Sequence, residues 1–160
     1  MTEKLTVEKP KNGSSVLPEL AFEHDVKRQE EGDKIRPEDI PNEIYVPVSG
    51  VEWVEVRSTY CQEYQDALEK LVRKPLRGNK KPDKPTRKQE MSDRVDMILK
   101  HLLLDWSIKD RSGNALPFNQ ETARSLLMEP QYRPFQDFVT LAISLLDGRL
   151  ESYTEDLSGN

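Results

Sequence analysis

Side chains that commonly perform catalysis or bind metals are few in this sequence and far apart. Histidine occurs twice, at His24 and His101, and cysteine once, at Cys61. Neither histidine has the spacing to a cysteine or a second histidine that a zinc site requires. Cys61 lies in the first turn of a predicted helix, where the helix dipole can lower the pKa of a thiol. No histidine is near it in the sequence, so we interpret Cys61 as structural, although the fold could still bring a histidine to it.

Three oxygen-bearing side chains, Asp105, Asp110 and Asn114, surround a predicted turn and could suggest a calcium loop. The Asp-x-Asp-x-Asp-Gly order of such loops is missing, and Asp and Asn at turns need only hydrogen bonds to the local backbone. The sequence also has no glycine-rich phosphate loop, no Gly-x-Ser-x-Gly motif and no Cys-x-x-Cys motif. We therefore expect no metal, no cofactor and no enzymatic activity.

These polar residues belong to a stretch, residues 102–118, in which two apolar clusters flank a turn. The first cluster ends on Trp106, and the second contains Leu116 and Phe118. We expect the two clusters to face each other and form a compact corner that organises the fold. Two aromatic residues of the last predicted helix should act with it as anchors, either in the core or toward a partner. The predicted organising or partner-binding residues are Trp106, Leu116, Phe118, Phe135 and Phe138.

Helices are predicted on both sides of this corner. Before it, apolar residues recur every three or four positions, which places them on one face of a helix that ends near Leu104. After it, Asn119 is a suitable N-cap for a short helix. A last helix begins near Pro134 and ends before Gly148. The sequence thus predicts a small three-helix bundle over residues 89–148.

The preceding segment, residues 43–75, has a β-type pattern followed by a helical one. Residues 44–48 and 51–57 are β-branched and aromatic, and the two residues between them give the spacing of a tight hairpin. Thr59 to Gln62 has the spacing of a capping box that opens a helix. The predicted fold class is therefore mainly α with a small N-terminal β-hairpin, an α+β arrangement.

Three further segments lack a sustained pattern. Residues 1–42 mix charges with Pro and Gly, which predicts a flexible arm whose few apolar residues form a frayed helix or a motif that folds on a partner. Residues 76–88 form a basic, Pro-rich linker, and residues 149–160 a loose tail. The linker could bind nucleic acid, but no aromatic side chain is interleaved for base stacking. A solvated tether, or one that meets an acidic protein surface, is therefore the favoured interpretation. An affinity that falls steeply with salt would instead support binding of nucleic acid.

The composition of the 160-residue chain narrows the classes of partner. A net charge of -5 argues against nucleic acid as the main partner, because such proteins usually carry a basic surface. With only one cysteine, an intrachain disulfide cannot form. The sequence has neither a secretory signal pattern nor an apolar run of membrane-spanning length, so we expect neither secretion nor membrane insertion.

The corner and the β-rich block together resemble a family of phage proteins, the tail assembly chaperones of long-tailed bacteriophages. The similar pattern is a Trp, a turn rich in Asp and Gly, Leu-Pro-Phe, a helix with paired leucines and a final amphipathic helix. The matching residues are Asp105-Trp106-Ser107, Asp110, Gly113, Leu116-Pro117-Phe118 and the helix at Thr122 to Leu127. The block from Val48 to Ser58, with Glu63-Tyr64, is also similar to proteins coded among phage tail genes. The resemblance covers about residues 48–148.

This resemblance implies a non-enzymatic helper that acts in the cytoplasm of the infected host cell. It would keep the tape-measure protein soluble, help to recruit tail-tube subunits and leave before the particle is complete. Self-association is possible. The alternative is a structural virion protein of the tail or neck, whose ends order against neighbouring subunits.

Overall fold

The computed structural model describes residues 17–45, 47–72 and 86–150. Most of the predicted basic linker (residues 76–85), the first part of the arm (1–16) and most of the tail (151–160) lie outside the described residues. The helices are α1 (Ala21–Glu31), α2 (Gln62–Val72), α3 (Arg87–Met97), α4 (Gln120–Met128) and α5 (Arg133–Asp147). The strands are β1 (Asp33–Ile35), β2 (Val51–Val56) and β3 (Leu103–Ile108). The fold is a mixture of helices with a small sheet, as predicted at that level.

The sheet is antiparallel, with strand order β1-β2-β3. Asp33 pairs with Val56 at one edge, and Val54 pairs with both Ile35 and Trp106 across the centre. β2 lies within residues 43–75 and β3 within residues 89–148. The sheet therefore joins two ranges that the sequence analysis placed in separate units.

The predicted hairpin is wrong in its first strand. Ile44 lies in a turn, and the Tyr45 hydroxyl accepts a hydrogen bond from the Val48 amide at 2.8 Å. Val46 lies outside the described residues. The reason is that β1 and β3 both pair with β2 at Val54 to Val56, so the positions opposite residues 44 and 45 in a hairpin are already taken. The second predicted strand is confirmed as β2.

The helix predicted to end near Leu104 instead gives way to a strand. α3 ends at Met97, a π-helical turn follows at Ile98–Leu102, and β3 begins at Leu103. This segment forms a strand despite its helical pattern, because pairing with β2 buries Leu103 and Trp106 against the rest of the core. Trp106 thus lies in the sheet, and β3 separates the first predicted C-terminal helix from the other two.

Part of the predicted arm also packs into the core. Ile35 and Ile40 are only 2% and 1% exposed, and β1 forms one edge of the sheet. Gly32, just before β1, has a φ of 92°. A Cβ atom there would lie 2.8 Å from Leu104 Cδ1 and 2.9 Å from the Val56 carbonyl oxygen, so only glycine fits this approach. The prediction of a flexible arm rested on local composition, which does not reveal these long-range contacts.

α4 and α5 begin and end where the local sequence predicted. The Asn119 side chain accepts a hydrogen bond from the Thr122 amide at 2.8 Å, which caps α4. Pro134 occupies the first turn of α5, and Gly148 ends that helix in the left-handed conformation with a φ of 74°. Eight of the fifteen residues of α5 are buried, so this helix is the centre of the core.

Candidate functional site

Of the five residues predicted to organise the fold, Trp106, Leu116, Phe118 and Phe135 lie together at the corner, and Phe138 lies elsewhere in the same core. Trp106 is 5% exposed, and its indole Nε1 donates a hydrogen bond to the Leu116 carbonyl oxygen at 2.8 Å. The Phe118 and Phe135 rings meet the indole edge to face, with centroids at 4.7 and 5.9 Å. Phe138 is fully buried and stacks on Tyr45 at 5.7 Å. A partner could reach only Leu116 and Phe118, which are half-buried.

The acidic turn beside this corner is held by its own backbone. One carboxylate oxygen of Asp110 accepts hydrogen bonds from the amides of Ser112 and Asn114, at 2.8 and 2.9 Å. These bonds give Asp110 a local role in shaping the turn. Among the residues that the structure describes, no group of three His, Cys, Asp or Glu side chains could hold a metal.

A buried carboxylate links the end of α5 to the segment between β2 and α2. The Asp147 side chain is 2% exposed and accepts hydrogen bonds from the Thr59 amide at 2.9 Å, the Thr59 hydroxyl at 2.6 Å and the Ser58 hydroxyl. Because Thr59 is engaged here, it does not form the predicted capping box. The Gln62 amide at the start of α2 is instead capped by the Glu30 carboxylate of α1, at 2.8 Å.

Cys61 and His101 do not form a catalytic pair. Cys61 is 1% exposed, and burial raises the pKa of its thiol, which disfavours the thiolate. His101 Nδ1 lies 3.0 Å from a carboxylate oxygen of Glu63, which also accepts a hydrogen bond from Arg57 at 3.0 Å. The hydrogen bond with His101 is the main cause that lowers the pKa of Glu63. The arrangement is an exposed charge cluster with no nucleophile.

A concave surface lies where α3, α4 and α5 meet, and we call it the helical groove. Its volume is about 420 Å³. Three charged side chains, Arg94, Arg133 and Asp137, also line it. Its apolar lining consists of Met91, Val95, Ile98, Leu127, Met128 and Val139. An apolar surface with charges beside it can bind an amphipathic segment.

Sequence reasoning did not find the helical groove. Met91, Val95 and Ile98 have the spacing of one helical face, but the same spacing is typical of a core helix. Val95 is indeed buried, at 3% exposed, whereas Met91 is 40% exposed. Only the packing of α3, α4 and α5 shows that this face is covered at Val95 and open at Met91.

A second apolar surface lies on α1, where no residue is buried. Phe22 and Val26, one helical turn apart, are 62% and 54% exposed, and we call them the α1 stripe. α1 is held to the rest of the molecule at its last turn. There the Gln29 side-chain amide donates to the Leu146 carbonyl oxygen at 3.1 Å, and Glu30 caps α2.

In the described ranges, no helix is both long and apolar enough to span a bilayer.

Comparison with known protein families gives a match. The model of a protein family described as YdaY prophage protein matches residues 59–160. No curated protein and no solved structure matches this chain.

Proposed function

Since this chain belongs to the YdaY prophage protein family and is of phage origin, we propose that it is a tail assembly chaperone that acts in the host cytoplasm. It binds the tape-measure protein and tail-tube subunits during tail assembly and has no enzymatic activity. The helical groove is the observation that carries this proposal. It offers an open apolar surface to a client, whereas Trp106 of the corner is buried inside the fold.

A long helical client such as the tape-measure protein would suit this groove. A long helical protein that waits for assembly exposes apolar stripes, and these need temporary cover to avoid aggregation. Met91 and Met128 lie in the groove, and methionine adapts its shape to varied apolar partners. The rim carries Arg94 and Arg133, which would attract carboxylates beside the apolar stripe of the client.

The test uses two variants that each place a carboxylate on an exposed apolar site of a helix. Met91→Glu changes the helical groove, whereas Leu71→Glu changes a site on α2 that is 56% exposed and does not line the groove. Binding is measured by fluorescence anisotropy with peptides tiled across the tape-measure protein of the same prophage. We expect Met91→Glu to weaken binding about tenfold and Leu71→Glu to leave it unchanged. Equal affinities for all three proteins would reject the helical groove as the client site.

The second candidate is a structural virion protein of the tail or neck. The exposed α1 stripe favours it, because a surface of this kind can be covered by a neighbouring subunit. Quantitative mass spectrometry of purified particles and of the induced lysate separates the two functions. Abundance in the lysate with absence from particles supports the chaperone. A fixed copy number per particle supports the virion protein.

A further inference from the structure

We infer that the helical groove of one molecule binds the α1 stripe of a second copy when no client is present. The self-association itself goes beyond the proposed function, since it requires no client. Its consequence, that self-association masks the client site, rests on the proposed function. Three features support this contact: an exposed apolar stripe on α1, a groove of complementary charge, and the separation of the two within one molecule.

The first half of α1 is available to another molecule. All eight residues from Ala21 to Arg28 are exposed, whereas Gln29 and Glu30 are partly covered. The contacts that hold α1 to α5 and α2 come from Gln29 and Glu30. The α1 stripe precedes this anchored turn, so a partner can cover Phe22 and Val26 without displacing any of these bonds.

Charges beside the two surfaces are complementary. On α1, Glu23 and Asp25 flank the stripe on opposite sides, as their positions around a helix dictate. In the helical groove, Arg94 and Arg133 are exposed, and neither forms an ion pair with any residue in the described ranges. The groove also contains Asp137, so the two arginines leave it with a net positive charge. The basic residues Lys27 and Arg28 lie farther around the helix from the stripe, and Arg28 pairs with Asp33 at 2.6 Å. A helix whose apolar stripe has a carboxylate on each side is thus the matching occupant.

The α1 stripe cannot be covered by the groove of its own molecule as the fold stands. Gln29 anchors α1 at Leu146, near the end of α5, whereas the groove residues from Gln136 to Thr140 lie six to ten residues earlier. That interval corresponds to about 9 to 15 Å along the helix. Phe22 and Val26 remain more than half exposed. A second copy can supply the groove that covers this stripe.

Because the two surfaces differ, the contact is heterologous. A pair of molecules joined in this way still has one free stripe and one free groove for further copies, which produces a closed ring or an open chain of subunits. Binding of a client helix to the groove would compete with this assembly. The same surface would therefore stay covered until a client arrives.

Two complementary variants test the contact. The first, Phe22→Asp with Val26→Asp, removes the stripe and leaves the groove intact. The second, Arg94→Glu with Arg133→Glu, reverses the groove charges and leaves the stripe intact. All four positions are exposed, so both variants should fold. Leu71→Glu, at an exposed apolar site on α2, is the control.

Analytical ultracentrifugation gives the masses. We expect the wild-type protein and Leu71→Glu to exceed the 18.5 kDa monomer increasingly with concentration, and each double variant alone to remain monomeric. An equimolar mixture of the two double variants should form a dimer, since one intact groove meets one intact stripe. A monomeric wild-type protein, assembly of the groove variant alone, or a mixture that stays monomeric would each overturn the inference.

The stripe variant also separates this inference from the proposed function. Its groove is open, so it should bind tape-measure peptides at least as tightly as the wild-type protein does. Failure to bind peptides, with the mixing result intact, would reject the client and keep the self-association. Tight peptide binding by a wild-type protein that never self-associates would reject the self-association and keep the client.

Discussion

α5 and α1 are both helices with apolar side chains, but they use those side chains differently. α5 buries eight of its fifteen residues, and α1 buries none of its eleven. α5 is held by packing on many sides, whereas α1 is attached by polar bonds at its last turn. The comparison teaches that apolar content alone does not identify the core. Position relative to the sheet decides which apolar surface stabilises the fold and which stays available.

One residue type allows a direct test of this difference. Phe138 on α5 is fully buried, and Phe22 on α1 is 62% exposed. Phe138→Ala should lower the free energy of unfolding by about 3 to 5 kcal/mol, because it opens a cavity beneath Tyr45. Phe22→Ala should change it by less than about 0.5 kcal/mol. Urea unfolding followed by tryptophan fluorescence measures both. A similar loss for the two variants would mean that α1 is part of the folded core.

Aspartates on α5 extend the same test to polar contacts. Asp147→Ala leaves the Thr59 amide and two hydroxyl groups without their acceptor, which should cost about 1 to 3 kcal/mol. Asp137→Ala removes an exposed carboxylate from the same helix and should change stability by less than about 0.5 kcal/mol. Thermal unfolding by circular dichroism distinguishes them. Equal melting temperatures would show that the link to Ser58 and Thr59 adds nothing to stability.

The smallest effect concerns the exposed cluster at the start of α2. Hydrogen bonding to His101 lowers the pKa of Glu63, so its contribution to stability is present at neutral pH and is lost as the pH falls through the lowered pKa. Because Glu63 is exposed, solvent screening limits the contribution to about 0.5 kcal/mol. Urea unfolding between about pH 6 and pH 3 should show a smaller acid loss for Glu63→Gln than for the wild-type protein. Parallel pH profiles would contradict this.

Local sequence chemistry predicted the elements whose limits depend on neighbouring residues. The Asn119 cap, Pro134 in the first turn of α5 and the stop at Gly148 all act within one helical turn. The corner could also be predicted from the local sequence, because only ten residues separate Trp106 from the carbonyl group that accepts its indole hydrogen bond.

What the sequence did not predict depends on distant partners. β1 is three residues long and contains Asp33 and Lys34, so no alternation marks it as a strand. Its pairing with β2, which lies about twenty residues later in the chain, is what orders it. β3 was not predicted, because Leu102 to Leu104 continue the helical pattern of the preceding residues. The segment forms a strand only because it pairs with β2. The helical groove likewise exists only where three separate helices converge.

α5 and α1 also differ in whether the family match includes them. The match covers residues 59–160, which include α5 and all three helices of the helical groove. α1, β1 and β2 precede it. The groove thus belongs to the part of the chain that the family model describes, while the helix that we infer to occupy it lies outside that part.

Cys61 gives this chain a built-in probe of local opening. It is the only cysteine, it is buried, and it lies between the Ser58-Thr59 link and the first turn of α2. A thiol reagent can modify it only when that junction opens to solvent. The rate of labelling under native conditions therefore reports how often the junction between the sheet and α2 opens, without an engineered residue or an attached dye.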